Sequence, residues 1–289
     1  MPAKSPLILN TLKWHLFTIL EQRPLLFAAM GVNLFNGIFS AWQLEYIGTT
    51  SAPSLGDTLF VVYAGPGIGV ANMVIVSTWL LNQLFFLLLI ASLINEQANT
   101  GDYSILLRVA SRKRWLWGIL ASIFTSAFFY ISLIILCALA GIGIIQGWNL
   151  SPGSFFREMV IWELLSEFSF LQILGLVWTL LFSSIVVQSL LLILLMLWVR
   201  KIIWSLLTTL FISLLAWLLG AGDSIQDWQI WLPSTHSILS RHYPFETRLP
   251  IFTFDFSYLY NTILGFTLIV AAIITIKKMD FLGDFHDNQ

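Results

Sequence analysis

The chain has 289 residues, of which 58% are hydrophobic and 10% charged, with a formal net charge of −1. A soluble domain carries about 25% charged residues, so this composition excludes a single water-soluble domain and indicates a protein surrounded by lipid. The lone cysteine, Cys137, excludes an internal disulfide, and no Cys or His spacing typical of a metal site is present. The few basic residues do not support nucleic-acid binding.

Membrane-spanning helices are predicted where charges are absent. A helix needs about 20 residues to cross the hydrocarbon, and a charge at the bilayer centre is costly. The internal intervals without Asp, Glu, Lys or Arg that exceed this length are 24–44, 58–95, 115–156, 168–199, 202–222 and 256–276. A Gly-Pro-Gly sequence at 65–67 divides the second interval into a short interfacial piece and a span at 70–94. A polar turn confines the third span to 115–145. We predict an all-α polytopic membrane protein with six spans in one domain, 1–289.

The orientation follows from Lys and Arg, which are enriched in cytoplasmic loops. With the N-terminus inside, the inner segments carry eleven of these residues and the outer segments carry three. Both ends are therefore predicted to be cytoplasmic. The outer three are Arg157, Arg241 and Arg248, and the inner residues are Lys4, Lys13, Arg23, Arg108, Arg112, Lys113, Arg114, Arg200, Lys201, Lys277 and Lys278.

Four segments are predicted outside the spans. Residues 6–23 alternate apolar and polar positions at helical spacing, which indicates an amphipathic connecting helix on the inner surface. Residues 155–168 predict a similar helix on the outer face. Residues 223–255, rich in Trp, Pro and His, predict an extracellular cap before the last span. The cytoplasmic loop at 95–114 begins acidic, continues with an apolar cluster and ends basic, and an exposed apolar cluster of this kind indicates a contact site.

This cytoplasmic loop resembles a known family. Glu96, Gly101, the Leu106-Leu107 pair and Ser111-Arg112 resemble the ABC-2-type transporter permeases. Asp102-Tyr103-Ser104-Ile105-Leu106-Leu107-Arg108, followed by Ser111-Arg112-Lys113-Arg114-Trp115, is similar to the bacitracin-resistance, antimicrobial-peptide branch of bacterial ABC permeases. Trp79 and the tail at 277–282 agree with that branch, whereas its usual Pro before Ser-Arg is Ala110 here. The six-span layout extends the resemblance over nearly the whole chain.

The resemblance implies a half-transporter in the bacterial plasma membrane. In this family two permeases pair, and each docks a separate cytoplasmic ATPase through the loop between the second and third spans. The implied cargo is an amphipathic peptide or a lipid-like compound. The chain has no Gly-x-x-x-x-Gly-Lys-Ser/Thr sequence, so we expect ATP and Mg²⁺ on the partner and no catalytic residue, metal or cofactor on this chain. The implied coupling residues are Glu96, Gly101, Asp102, Tyr103, Leu106 and Leu107, with Arg112 at the membrane edge.

The predicted spans contain no ionisable residue in their cores, which argues against an ion-coupled carrier. Uncharged polar side chains do occur in them. In lipid such side chains either join helices by hydrogen bonds or line a substrate path, and the sequence leaves both roles open. These residues are Asn33, Asn36, Asn82, Gln83, Ser184 and Gln188.

Two other functions are compatible with a helical membrane protein. One is an integral-membrane enzyme acting on lipid at the outer face, which requires outer carboxylates or histidines to converge on one pocket. The other is a non-transporting sensor or scaffold subunit bound to an ATPase. The outer carboxylates are Glu158, Glu163 and Glu167, and the histidines are His236 and His242, whose spacing from Asp223 and Asp227 fits no standard zinc set.

Overall fold

The computed structural model describes residues 21–46, 52–65, 73–99, 112–150, 168–218, 227–243, 245 and 250–278. These residues form α-helices and short 3-10 helices, with no β-strand among them. The α-helices are α1 (Arg23–Tyr46), α2 (Leu55–Tyr63), α3 (Met73–Asn99), α4 (Arg112–Gln146), α5 (Phe170–Val199), α6 (Ile202–Leu218) and α7 (Phe254–Lys278). Between α6 and α7 lie three 3-10 helices, Asp227–Trp231, Pro233–Ser237 and Leu239–Arg241. Most of the predicted connecting helix at 6–23 and of the predicted outer helix at 155–168 falls outside the described residues.

The protein is a helical membrane protein, as the sequence predicts. Five of the described helices, α1, α3, α4, α5 and α7, are long and apolar enough to cross a membrane, and each coincides with a predicted interval. The helix in the remaining interval, α6, has 17 residues, which is about 25 Å at 1.5 Å per residue. Residues 219–226 follow it outside the described part. The count of six spans therefore stays a prediction.

Helices α1 and α4 cross in backbone contact because glycines lie at the crossing. A Cβ atom at Gly37 would collide with the carbonyl of Ala138, and one at Gly141 would collide with the carbonyl of Leu34. Small residues at such crossings let helices approach closely in lipid, where van der Waals packing replaces the hydrophobic effect as the driving force. Only glycine fits at these two positions.

Helix α2 is buried along its whole length, where the sequence predicts a short interfacial piece. Its first turn has a capping box, in which the Asp57 amide donates to the Ser54 hydroxyl and the Ser54 amide donates to the Asp57 carboxylate. The Leu55 amide donates to the carbonyl of Asn149, just beyond α4. All nine residues of α2 are buried, because the cap satisfies the helix start and the remaining side chains are largely apolar. The helix runs from the α4 end into the bundle.

The 3-10 helices also enter the bundle, and we call residues 227–243 the cap segment. The Ser184 hydroxyl, halfway along α5, donates to the carbonyl of Pro233 at 3.3 Å. The Trp79 indole of α3 donates to the hydroxyl of Ser237 at 2.9 Å. The middle of the predicted extracellular cap thus lies between helices. Irregular backbone at this depth is tolerated where protein surrounds it, and the serines of this segment supply the necessary hydrogen bonds.

The cap segment and α2 meet inside the bundle. The carbonyl of Ala64, directly after α2, accepts hydrogen bonds from both the amide and the hydroxyl of Ser240, at 3.1 and 3.0 Å. Gly65 follows with a φ of +76°, and a Cβ atom there would press on Ile238. Two short segments that enter from the same side therefore form one junction, surrounded by the long helices.

Candidate functional site

The predicted ATPase-coupling residues lie where α3 leads into α4. Glu96 is in the last turns of α3, and Arg112 is the first residue of α4. The rest of the set, Gly101, Asp102, Tyr103, Leu106 and Leu107, lies outside the described residues. The loop thus connects two helices that are long enough to span the membrane, and its docking role stays a prediction.

Deep in the bundle, Asn33 and Asn82 form a reciprocal amide pair. The Asn33 Nδ2 donates to Asn82 Oδ1 at 2.6 Å, and the Asn82 Nδ2 donates to Asn33 Oδ1 at 3.1 Å. The Tyr63 hydroxyl donates to Asn33 Oδ1 at 2.9 Å, and the Tyr130 hydroxyl donates to the Asn82 carbonyl at 2.9 Å. The four residues come from α1, α2, α3 and α4. We call them the asparagine junction, and their hydrogen bonds join these four helices.

The next residue of α3, Gln83, has a different environment. It is 3% exposed, and neither amide atom has a hydrogen-bond partner among the described residues. Leaving a buried polar group unpaired costs about 1–3 kcal/mol. Gln83 lines a cavity, together with Trp79, Ser184 and Ser237, that offers about 10 Å³ to the centre of a water molecule, which is space for about one water. Of the predicted polar residues, Asn82, Gln83 and Ser184 line this cavity.

The other predicted polar residues bond locally or to the cap segment. Gln188 Nε2 donates to the Ser184 hydroxyl at 3.1 Å, and the Ser213 hydroxyl of α6 donates to Gln188 Oε1 at 3.1 Å. The Ser234 hydroxyl donates to the carbonyl of Ser213 at 3.3 Å. Ser184 and Gln188 thus fasten α5 and α6 to the cap segment. Asn36 accepts a hydrogen bond from Ser40 within α1 at 3.2 Å and makes no contribution to this arrangement.

Two histidines that the sequence analysis sets aside converge in the structure. His236 and His242 lie on either side of the Ser257 hydroxyl, with Nδ1 of His236 at 2.8 Å and Nε2 of His242 at 2.7 Å from it. Nδ1 of His242 lies 3.0 Å from the carbonyl of Ile238. We call this arrangement the histidine chain. Both rings and the serine are 0% exposed.

Burial keeps both histidines neutral in this structure. Burial away from water is the main reason that the pKa of His236 is lowered to about 3. The neighbouring His242 lowers this pKa as well, whereas the Ile230 backbone raises it. Burial likewise lowers the pKa of His242 to about 4, although hydrogen bonds with the backbone of Ile238 and Leu239 raise it in part. At neutral pH each ring therefore carries one N–H.

Aromatic rings enclose the histidine chain. The His236 ring stacks on Tyr260 with 4.1 Å between ring centres, and the His242 ring stacks between Phe252 and Phe254 at 4.5 and 4.8 Å. The histidines thus converge, as the enzyme alternative requires, but in an enclosed cluster and not in a pocket that could admit a lipid. Among the described residues, no group of three or more His, Cys, Asp or Glu side chains could hold a metal ion.

The sequence does contain the two histidines six residues apart, but no spacing rule connects them to Ser257. The serine belongs to the first turn of α7, on a separate element, so that only the tertiary fold brings the three side chains together. No protein-family model, curated protein or solved structure matches the chain.

Proposed function

We propose that the chain is the transmembrane permease subunit of an ATP-driven ABC-2-type exporter in a bacterial plasma membrane. It has six spans with both ends in the cytoplasm, and it pairs with a second copy or a homologous permease. A cytoplasmic ATPase docks on the loop between α3 and α4 and supplies ATP and Mg²⁺, while this chain carries no cofactor. The cargo is an amphipathic peptide or a lipid-like compound.

The observation that carries this proposal is the loop sequence from Glu96 to Arg112. Its acidic start, its Leu106-Leu107 pair and its Ser-Arg end form the motif that resembles the family. The loop connects α3 and α4, both of which are long and apolar enough to cross a membrane. A soluble motor that pushes on this loop would act on two spans at once.

The asparagine junction supports a role for the loop in transmitting movement. Asn82 precedes the end of α3 by about as many residues as Tyr130 follows the start of α4, so both lie about 25 Å from the loop. The Tyr130 hydrogen bond to the Asn82 carbonyl joins the two helices at that height. Asn33 and Tyr63 extend the connection to α1 and α2. A displacement of the loop would therefore move four helices together.

The outer surface of the helices suits lipid and a second permease. Helix α1 exposes Phe27, Phe35 and Trp42, and α7 exposes Leu259 and Phe266. These two helices are the least buried of the five, with 33% and 28% of their apolar windows buried in the chain. Such surfaces are expected on helices that face acyl chains or a partner subunit.

The experiment that tests the proposal is purification of the tagged chain from its native membrane. We expect an ABC ATPase to co-purify with the wild-type chain. The double variant Leu106→Asp/Leu107→Asp should lose it at least about tenfold, because two charges enter an apolar contact. The matched control, Leu106→Met/Leu107→Met, should retain it. Unchanged co-purification and unchanged transport in the Asp variant would contradict the docking assignment.

The same experiment separates the permease from the sensor or scaffold alternative. A permease loses peptide resistance or lipid export when the chain is deleted and when the Asp variant replaces it. An ATPase that co-purifies with a chain whose deletion leaves transport unchanged would favour the sensor or scaffold. Transport is therefore measured on the same strains as co-purification.

A further inference from the structure

The histidine chain has a fixed direction of hydrogen bonding. The Ile238 carbonyl can only accept, so Nδ1 of His242 must donate to it. In a neutral ring Nε2 of His242 is then an acceptor, and the Ser257 hydroxyl donates to it. The single hydroxyl hydrogen is thereby used, so Nδ1 of His236 donates to the Ser257 oxygen. Three protons satisfy three hydrogen bonds, and Nε2 of His236 is left with a lone pair.

No described residue donates a hydrogen bond to that buried nitrogen, and the Ile230 backbone favours an additional proton on the ring. One additional proton fits on Nε2 of His236 without breaking any bond of the chain. A second proton does not fit, because two charged rings would both donate to Ser257 and its own hydrogen would have no acceptor. The first and the second protonation each place a positive charge in a site closed to water, and this burial opposes both protonations. The closed arrangement is therefore selective for the neutral histidines.

The histidine chain holds the cap segment on α7, and the cap segment closes the bundle. Ser237, within the same 3-10 helix as His236, forms part of the wall of the cavity beside Gln83. The cap segment is built from 3-10 turns of three to five residues, and such short turns have few internal hydrogen bonds. Its hydrogen bonds to α7 include those of the two histidines with Ser257 and one from the Tyr260 hydroxyl to the Trp231 carbonyl, and of these groups only the histidines change charge near neutral pH.

The other charged and titratable groups around the histidine chain do not give the same pH dependence. Arg241 is buried in the cap segment, but a guanidinium keeps its charge at any pH below about 12, so it adds no pH dependence in this range. Helices α5 and α6 contain no titratable residue. The remaining such groups on these elements are Asp227 and Tyr243 of the cap segment, Asp255, Tyr258, Tyr260, Lys277 and Lys278 of α7, Asp57 and Tyr63 of α2, and Glu96 of α3.

We propose that the cap segment is a proton-sensitive gate, closed while His236 and His242 are neutral and opened by the uptake of two protons. In the open state water reaches both rings, and each titrates near pH 6.5. Opening connects the cavity beside Gln83 to the side of the membrane on which α7 begins. The proposal concerns this chain alone and does not depend on an ATPase partner.

The test measures the open and closed populations directly. Spin labels are placed at Tyr46→Cys, at the end of α1, and at Tyr243→Cys, at the end of the cap segment, with Cys137→Ala in the background; both tyrosines are exposed. Their distance distribution is recorded by pulsed electron resonance in lipid nanodiscs between pH 7.5 and 4.5. Because two protons are bound on opening, the open-to-closed ratio should rise about 60-fold between pH 6 and pH 5.

The histidine variants give the number of protons. His236→Gln and His242→Gln should each reduce the slope to about tenfold per pH unit, and the double variant should abolish it. The control variant His286→Gln should keep the wild-type slope. Ser257→Ala should open at a higher pH with the slope retained, because both hydrogen bonds across the hydroxyl are lost while both titrating rings remain.

Three results would overturn the proposal. The first is a wild-type distance distribution that does not change with pH, which is decisive even if a variant fails to fold. The second is a wild-type slope that persists in the double histidine variant. The third is a Ser257→Ala chain whose midpoint stays at the wild-type pH.

Discussion

The asparagine junction and the histidine chain are two buried polar clusters in one bundle, and they differ in what a proton can do to them. In the junction, amides and phenols exchange hydrogen bonds, and none of these groups changes charge near neutral pH. In the histidine chain the bonds depend on which nitrogen carries a hydrogen. The comparison suggests that the junction is a fixed connection between helices, whereas the chain is a connection that can be released.

The largest expected effect is a loss of stability at low pH that comes from the histidine chain and not from the asparagine junction. A histidine whose pKa is lowered in the closed state stabilises that state fully above pH 6.5 and loses this contribution as the pH falls towards about 4 for His242 and about 3 for His236. From pH 7.5 to 5 the two rings together should cost the closed state about 4 kcal/mol. Thermal unfolding in detergent should show this loss in the wild type and not in His236→Gln/His242→Gln. An equal loss in both would contradict the assignment of the titrating groups.

The next effect tests the helix crossing that supports the asparagine junction. Replacing Gly37 by Leu places a side chain against the Ala138 backbone, and we expect a loss of about 3 kcal/mol. Gly31→Leu is the matched control, since a Cβ atom there has nothing within 4 Å. Equilibrium unfolding in mixed micelles measures both. A loss as large for Gly31→Leu as for Gly37→Leu would contradict the close crossing.

Removal of one asparagine should cost less than the glycine change but should be strongly non-additive. Asn82→Leu removes two of the four hydrogen bonds of the Asn33 amide, which keeps those with the Ala29 carbonyl and the Tyr63 hydroxyl, and we expect a cost of about 2 kcal/mol. Asn33→Leu/Asn82→Leu should cost clearly less than the sum of the single changes, because each single change already removes the same pair of hydrogen bonds. A double-mutant cycle at pH 7.5 and at pH 5 should give the same coupling, since the junction does not titrate. A coupling energy near zero would mean that the amides do not interact.

The smallest expected effect is at Gln83, beside the junction. Since neither of its amide atoms has a partner within the described residues, Gln83→Leu should leave stability unchanged or raise it by about 1 kcal/mol. Transport of the cargo should fall, because the variant removes the polar side chain from the cavity wall. Asn82→Leu is the contrasting variant, with lost stability. A Gln83→Leu chain that is destabilised as strongly as Asn82→Leu would contradict the difference between the two neighbours.

The spans could be predicted from the sequence because a single physical quantity, the cost of charge in lipid, sets their limits. The burial of α2 could not, since its nine residues are equally compatible with an interface and a bundle interior. The position of the cap segment depends on the Ser184 hydroxyl, which looks like an ordinary helix-packing group in the sequence, and on the backbone carbonyl of Ser213.

Part of the candidate site could be predicted, because polar side chains are rare within apolar spans. Asn33, Asn82 and Gln83 are conspicuous as amides in apolar spans, yet only the structure distinguishes the paired Asn82 from the unpaired Gln83 that follows it. The histidine chain joins two elements through Ser257, a residue without any distinguishing neighbour in the sequence. The cores of the predicted spans lack charged residues, but the cap segment brings two histidines into the bundle, which hydropathy alone does not show.

The central claim is that a cytoplasmic motor acts on the loop between α3 and α4. It is tested most directly by a dual topology reporter fused after Ile105, active as one enzyme in the cytoplasm and as another in the periplasm. The account predicts cytoplasmic activity, because Lys and Arg are enriched in cytoplasmic loops and this one contains Arg108, Arg112, Lys113 and Arg114. Periplasmic activity would contradict it, since no ATPase could then reach Leu106 and Leu107.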